Sequence, residues 1–344
     1  MHEQTNPLLS IVLVVHNGAH WLRPVLDAVQ QQSYTPIEVI VRDNASTDAT
    51  ASIVRDYPSI RLILSSENVG PWIGFEQTLP QTEGTYVMLL TDVIMDSRCA
   101  AEAVAALQRD TSIGAIQVKV LQMEVSNDQV HKSNRIDTTG FQVSHSRRVT
   151  NRGQGEEDRG QYDNELELLA VEGAAPLFRR SALEQSRIDG WLVDPAYRVG
   201  SLGYGDDLDL AWRMRVFGFR QIYVPTAIAW HDRSTTKIIA STPIIGQLGN
   251  LSRRRLISLQ KRRLDWSNVR FTIIKNDAII NILRDLPRIV LRELAVLGYT
   301  LLFEPSVIRE VGRFIQLLPR MVRLHRLVMK RARTSASQIY TLLS

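Results

Sequence analysis

Along the first ninety residues, short apolar runs alternate with stretches in which apolar positions recur every three or four residues. LLSIVLVV (8–15) reads as a buried strand and HWLRPVLDAVQQQ (20–32) as a helix with one apolar face. IEVIVR (37–42) is a second strand, ATASIVRDY (49–57) a helix and IRLIL (60–64) a third strand. FEQTLPQT (75–82) is a kinked helical stretch, and TYVMLL (85–90) a fourth strand. Strands that alternate with helices predict a doubly wound, mostly parallel α/β sheet, in which ligands bind beyond the carboxyl ends of the strands.

The pattern then loosens. Residues 122–165 are polar and read as irregular, with GQGEEDRGQYDN (153–164) a mobile loop. LELLAVEGAAPLFRRSAL (166–183) reads as a strand, a small-residue turn and the start of a helix. A helix from Asp206 to Phe217 stops at Gly218, and QIYVPTAIAWH (221–231) is a bent strand or strand pair ending at His231. Beyond residue 250 the chain turns to helices rich in Arg and Leu.

The residues just after each strand carry the candidate chemistry. His16-Asn17-Gly18 follows the first strand without a G-x-G-x-x-G, which removes the dinucleotide fingerprint. Asp43 leads DNASTDAT after the second strand, where Ser46 or Thr47 can cap the next helix and Asp48 suits its positive end. Glu67-Asn68-Val69-Gly70 follows the third strand and Thr91-Asp92 the fourth. A carboxylate such as Asp92 can bind a hard cation through oxygen, and a neutral imidazole at His231 is a metal-ligand type. Each also has a structural reading, as a helix cap or a strand-end histidine. In GYGDDLDLAWRMR (203–215) three aspartates crowd at a helix start. With Asp206 at the N-cap and Asp209 at the third helical position, both resemble a capping box, and Asp207 is left over for chemistry.

Charge changes the picture for the tail. The chain of 344 residues carries a net +5, but residues 251–344 hold 19 Lys+Arg against 6 Asp+Glu, while residues 1–250 hold 22 against 30. A basic tail on an acidic body suits an anionic partner surface. LPRIVLRELAVLGYTLLF and VIREVGRFIQLLPRMVRLHRLVMKRAR within it are basic and amphipathic. They read either as a cap packed on the sheet or as helices lying on anionic lipid. Nucleic acid is disfavoured, since no recognised binding motif accompanies the charge. The single Cys99 excludes an internal disulfide and a cysteine-built metal site. No leader-like start and no run of about 18 apolar residues is present, which fits a cytoplasmic protein, at most at the inner face of the membrane.

Six motifs in order resemble family 2 glycosyltransferases of the GT-A fold, in particular their rhamnosyltransferase-like branch. They are SIVLVVHN, VRDNASTDAT, ENVG with TYVMLLTDVIMD, GAAPLFRRSAL, GYGDDLDLAWRMRVFGFR and VPTAIAWH, and they cover about residues 8–235. The resemblance implies a GT-A domain over 1–240, with a nucleotide-binding half (1–120) and an acceptor half (121–240), followed by a basic amphipathic helical region over 241–344. It implies that Asp207 is the general base, and that Asn17, Asp43, Asn68, Asp92 and Arg213 contact a nucleotide diphosphate sugar, with Asp43 reading the base. It also implies that Asp92, joined by His231, holds Mg²⁺ or Mn²⁺ on the diphosphate. The reaction implied is inverting transfer of a sugar, with rhamnose favoured by the branch, to a saccharide or lipid-linked acceptor in cell-surface polysaccharide synthesis.

Three positions depart from the pattern. Leu90 stands where the metal motif has an acidic or amide residue, Glu76 where many relatives have Asn, and Asp206 where the family has Glu. Leu90 keeps open a degenerate scaffold that binds nucleotide sugar or a partner without catalysis. A nucleotidyltransferase would need a Gly/Arg/Lys-rich loop after the first strand, which His16-Asn17-Gly18 is not.

Overall fold

The computed structural model describes residues 6–126, 129–200, 202–232 and 257–344. The first half builds β1 (Leu9–Val15), α1 (Ala19–Gln30), β2 (Ile37–Asn44), α2 (Thr50–Arg55), β3 (Arg61–Ser65), α3 (Pro71–Thr78) and β4 (Tyr86–Leu90). β5 (Val93–Met95), α4 (Cys99–Arg109), β6 (Ile113–Ser126), β7 (Gln129–Thr138), β8 (Phe141–Val143) and β9 (Val149–Asn151) follow. Next come β10 (Glu167–Leu168), β11 (Leu177–Arg179), α5 (Arg180–Gln185), β12 (Arg198–Val199), β13 (Leu202–Gly203), α6 (Asp206–Val216) and β14 (Arg220–His231). The tail is helical: α7 (Leu259–Asn276), α8 (Ile279–Arg284), α9 (Leu286–Phe303), α10 (Glu310–Lys330) and α11 (Ala336–Tyr340).

The main sheet runs β10-β14-β6-β11-β4-β1-β2-β3, with β5 added to β14 and β7 to β6. β1, β2, β3 and β4 are parallel neighbours, β14 and β6 are parallel, and β11 lies antiparallel between β6 and β4. The mixed α/β class expected from the alternation is therefore present. β1 is buried at all seven positions, as a strand covered on both faces must be. Its side chains divide by the two-residue period. Leu9, Ile11, Leu13 and Val15 join α1, α2 and α4 in one core, while Val12 and Val14 join α3, α6 and the tail in the other.

Residues 122–165 are more ordered than their polarity suggests. β6 continues to Ser126 and pairs antiparallel with β7. The first half of β7 is exposed and only its last three positions are buried, so the strand has no buried face to mark it in the sequence. The 153–164 stretch is a loop as expected, tied back to β6 by the Lys119–Asp158 ion pair. The tail divides. Phe271 of α7 and Met321, Leu324 and Val328 of α10 enter the second core, so these two helices are a cap on α6. The boundary expected at 240/241 lies outside the described residues.

Candidate functional site

The exits of β1, β2 and β4 share one edge of the sheet, because Val15 pairs with Asp43 and Leu13 with Leu90 in parallel register. At the first two exits the polar side chains knit loops together. Asn17 takes a left-handed conformation (φ 52°) that asparagine tolerates. Its backbone N–H donates to Ser46 Oγ (2.9 Å), and its Oδ1 accepts from the Thr47 N–H (2.8 Å). Asp43 is buried, and its Oδ1 accepts from the Ser46 N–H (2.8 Å). Ser46 and Thr47 thus hold the His16–Gly18 loop and do not cap α2, whose N-cap residue is Ala49. Asp48 performs the bridging, accepting from Ala19 N–H and from Thr50, and these hydrogen bonds outweigh burial to lower its pKa. Asn68 closes a turn onto the Gly70 N–H (2.9 Å), and Gly70 opens α3 through a positive φ of 75°.

The β4 exit carries the second constellation. Leu90 is fully buried in the first core, so the departing position of the metal motif points away from the site edge. Two residues on, Asp92 Oδ1 meets His231 Nε2 at 3.1 Å, and His231 Nδ1 meets Asp137 Oδ2 at 2.9 Å. β5 brings Asp92 and His231 together by pairing Val93 with His231. Burial opposes charge on the imidazole, but Asp92 and Asp137 overrule it and raise the His231 pKa to about 10. Burial likewise opposes the Asp92 anion, and His231 reverses this so that the net shift is downward.

No cluster of three or more metal-type side chains occurs among the described residues. The donor chemistry nevertheless fits a hard divalent ion. Asp92 Oδ1 and His231 Nε2 converge on a proton that the raised pKa keeps on the imidazole, so a divalent ion would have to displace that proton before Nε2 could ligate; Asp137 behind Nδ1 is the outer-shell carboxylate arrangement common for ligating histidines. Two protein ligands suffice for Mg²⁺ or Mn²⁺ when phosphate oxygens and water complete the shell.

α6 supplies the third constellation, and here the capping expectation is corrected. The N-cap residue is Gly205 at φ 80°, and no side chain caps the helix. Asp206 and Asp209 are buried for other reasons. Asp206 is pushed well up in pKa by burial and by Asp207 and Asp209 beside it. Asp209 accepts from Lys275 Nζ (2.8 Å), Arg213 Nη1 (2.5 Å), Asn276 Nδ2 (2.8 Å) and the Tyr197 hydroxyl (3.2 Å). Burial would raise its pKa, but Lys275 and Arg213 hold it at about 2. Arg213, expected at the donor, is fully buried instead. Its remaining nitrogens donate to the carbonyls of Ser186 and Leu192, so none of this guanidinium faces a ligand. Glu76 is also internal, accepting from Arg187 and from the N–H groups of Leu192 and Val193.

Asp207 differs from both neighbours. It is half-buried and, among the described residues, makes no ion pair with a cation; its Oδ2 accepts from the Gly173 N–H (3.2 Å) and its Oδ1 from its own helix at Leu208 N–H (2.9 Å). Burial and the Glu172 carboxylate push its pKa up to about 7. A side chain at Gly173 would meet Asp207 Oδ2 at 2.8 Å and the Trp72 ring at 3.2 Å, so only glycine leaves room there. The segment that follows reaches β4, where the Pro176 carbonyl accepts from Leu89 N–H (3.2 Å). The turn at 172–176 therefore links the α6 carboxylate to the strand exit that carries Asp92. Sequence reasoning missed Glu172, inside the quoted VEGAA turn, and Asp137, which only an ordered β7 brings beneath His231.

The family model for glycosyl transferase family 2 matches residues 10–186, just over half of the chain. Curated relatives match over shorter stretches. A protein of Mycobacterium tuberculosis is 36% identical over 87 residues, 24% of this chain and 25% of that one. TuaG of Bacillus subtilis, named for teichuronic acid biosynthesis, is 28% identical over 88 residues, 24% of this chain and 35% of its own. The chain thus spans about a quarter to a third of the length of these relatives. Among solved structures, residues 1–349 of S. aureus TarS align with a TM-score of 0.52 at 15% identity, covering 96% of this chain and 88% of that one. A mannosyltransferase from Pyrobaculum calidifontis, in complex with GDP-Man and Mn²⁺, aligns with a TM-score of 0.50 at 17% identity, covering 95% and 86%. These likenesses carry the GT-A fold, and with the family match over β1 to α5, including the 172–176 turn, the chain belongs to glycosyl transferase family 2.

Proposed function

We propose that this chain is an inverting glycosyltransferase with Asp207 as general base. The carrying observation is the Asp207 carboxylate, held at the start of α6 by the Gly173 N–H, without an ion pair to any cation among the described residues, and pushed up to about 7 by burial and Glu172. A base with that affinity accepts a proton readily near neutral pH. Asp207 takes the proton of an acceptor hydroxyl as its oxygen attacks the anomeric carbon. The bond from that carbon to the diphosphate oxygen breaks with its electron pair leaving on the diphosphate, and one displacement inverts the centre. Asp43, Asn17 and Asn68, on the strand-exit loops, are proposed to contact the nucleotide. Asp92 and His231 would hold Mg²⁺ or Mn²⁺, which supplies Lewis-acid stabilisation of the departing diphosphate.

The donor is a nucleotide diphosphate sugar, with rhamnose favoured by the branch resemblance. The acceptor is a saccharide or lipid-linked saccharide in cell-surface polysaccharide synthesis, reached at the cytoplasmic face of the membrane. Residues 1–240 carry the proposed transfer chemistry, and the helices described in 257–344 cap and extend it. Support comes from the family membership and from relatives whose names carry glycosyltransferase roles. The test is turnover of a panel of nucleotide sugars by the purified chain and by Asp207→Asn. Donor binding with turnover lost only in the variant is expected. Binding without turnover in the wild type would instead favour the scaffold reading that the buried Leu90 suggests.

A further inference from the structure

We propose that α8 and α9 form a docking face for an anionic phospholipid bilayer, with arginines along its edge meeting the headgroup phosphates. The inference stands apart from the sugar-transfer reading, since none of its residues belongs to the site.

The tail helices are not alike. α7 and α10 bury apolar side chains in the second core, whereas the only buried residue of α9 is Thr300. At 100° per residue, Val290, Leu294, Leu297 and Leu301 share one side of α9, and Leu291 and Leu302 widen it to an arc of about 140°. These side chains are exposed, Leu291 to 71% and Leu302 to 76%. A methyl added at Gly298, in the middle of the arc, would meet nothing within 4 Å. Ile279, Ile280 and Leu283 of α8 are exposed as well and extend the patch. Contiguous apolar surface of this extent marks a contact site on a folded protein.

Charge decides what covers it. Arg288 and Arg292 run along one edge of the arc, where the helix turns from Leu291 and Ala295 toward its packed side. There they bound a concavity of about 520 Å³ together with His145 and those two apolar residues. Arg288 reaches Asp285, a carboxylate that also accepts from the buried Arg147, which Asp277 shares, and Arg292 reaches Glu293, which Arg270 shares; the Arg288 guanidinium is still 64% exposed. α8 and α9 themselves carry Arg284, Arg288 and Arg292 against Asp285 and Glu293, and the tail that presents them, residues 257–344, holds 16 Lys+Arg against 6 Asp+Glu. A second copy meeting this face across a two-fold axis would bring two net-basic tails together. Anionic headgroups oppose them with the complementary charge and leave the arc to the acyl boundary. No described helix is long and apolar enough to cross a membrane. An amphipathic helix of this kind lies in the interface plane.

The experiment is vesicle flotation with the full chain, using phosphatidylcholine alone and phosphatidylcholine mixed with phosphatidylglycerol. The wild type is expected to float with the anionic vesicles and to be released by salt. Leu294→Glu with Leu302→Glu should lower the bound fraction about tenfold or more, and Arg288→Glu severalfold. Gly298→Glu places a carboxylate where it meets no protein atom, so it tests the arc in a chain that keeps its fold. Melting curves verify each variant. A wild type that ignores anionic vesicles overturns the proposal, as does binding that survives Gly298→Glu. A wild-type dimer that Gly298→Glu converts to monomer, with no vesicle binding by either, assigns the face to self-association and overturns it too.

Discussion

A general base must be ionised to act, yet Asp207 sits where burial and the neighbouring Glu172 favour its neutral form. Its raised pKa sets the sign of two effects. Below about 7 the carboxyl holds its proton and cannot accept another, so the transfer rate should rise with pH through that region and then level. Asp207→Asn should remove that limb and lower turnover by about 10²–10⁴-fold, while calorimetry finds donor affinity retained. A wild-type rate that is flat across this range would assign proton transfer elsewhere. The same shift means that the folded state binds a proton that the unfolded chain gives up near 4, so ionisation costs stability as pH rises toward 7. The Asn variant should accordingly melt higher than wild type at pH 8 and lose that advantage in acid. Asp137 acts through His231. Asp137→Asn should weaken Mn²⁺ binding about 10–100-fold, read by titrating the purified protein with the metal. Asp207 was legible as the odd aspartate of three, although neither neighbour is a cap: Asp206 is a buried carboxyl pushed up in pKa, and Asp209 is an ion-paired one. Arg213 was not legible, because α6 is covered on nearly every side and residue type alone does not say whether a guanidinium ends in solvent or in the core.

At the scale of elements, α6 is fixed at its first turn from two sides. Gly205 and the 172–176 turn set its start. Asp209, one turn along, ties it to α7 through Lys275 and Asn276, and Lys275 also meets Asp194, which Arg320 of α10 reaches from the other side. All of these except Arg320 are fully or nearly buried. Removing one partner from such a network leaves charge without compensation. Lys275→Met should therefore destabilise the fold by about 3–5 kcal/mol in urea titrations at neutral pH. The Asp209 pKa is depressed to about 2, so the stability its pairing provides is present above the unfolded carboxylate value near 4 and lost as pH falls toward 2. The cost of the substitution should shrink over that window, and an unchanged cost would show that Lys275 contributes packing alone. The central elements were readable because a doubly covered strand such as β1 writes an unbroken apolar run. β7 was not, since half of it faces water and carries no period to read.

For the whole molecule, the question is whether the helical tail is a separate unit. Its composition says so, with basic charge on one side of residue 250 and acidic charge on the other. Packing argues otherwise for part of it. Phe271 stacks on Phe314 between α7 and α10, and both helices share one core with α3, α6 and β1. Composition reports what a surface prefers to meet, and the core is set by which apolar faces interdigitate, so a shift in charge need not mark a folding boundary. The tail's outer layer, α9, follows composition, and its inner layer, α7 and α10, follows packing. Urea unfolding should then be a single transition, with the fluorescence of the six tryptophans, Trp212 of α6 and Trp266 of α7 among them, changing together with the far-ultraviolet circular dichroism of the sheet. Two separated transitions, the first removing helix while the sheet signal stays, would make the tail an independent domain. With one transition, a chain cut before α7 would expose the apolar face of α6 and the buried Asp209 at once, and the general base would lose the helix that holds it in place.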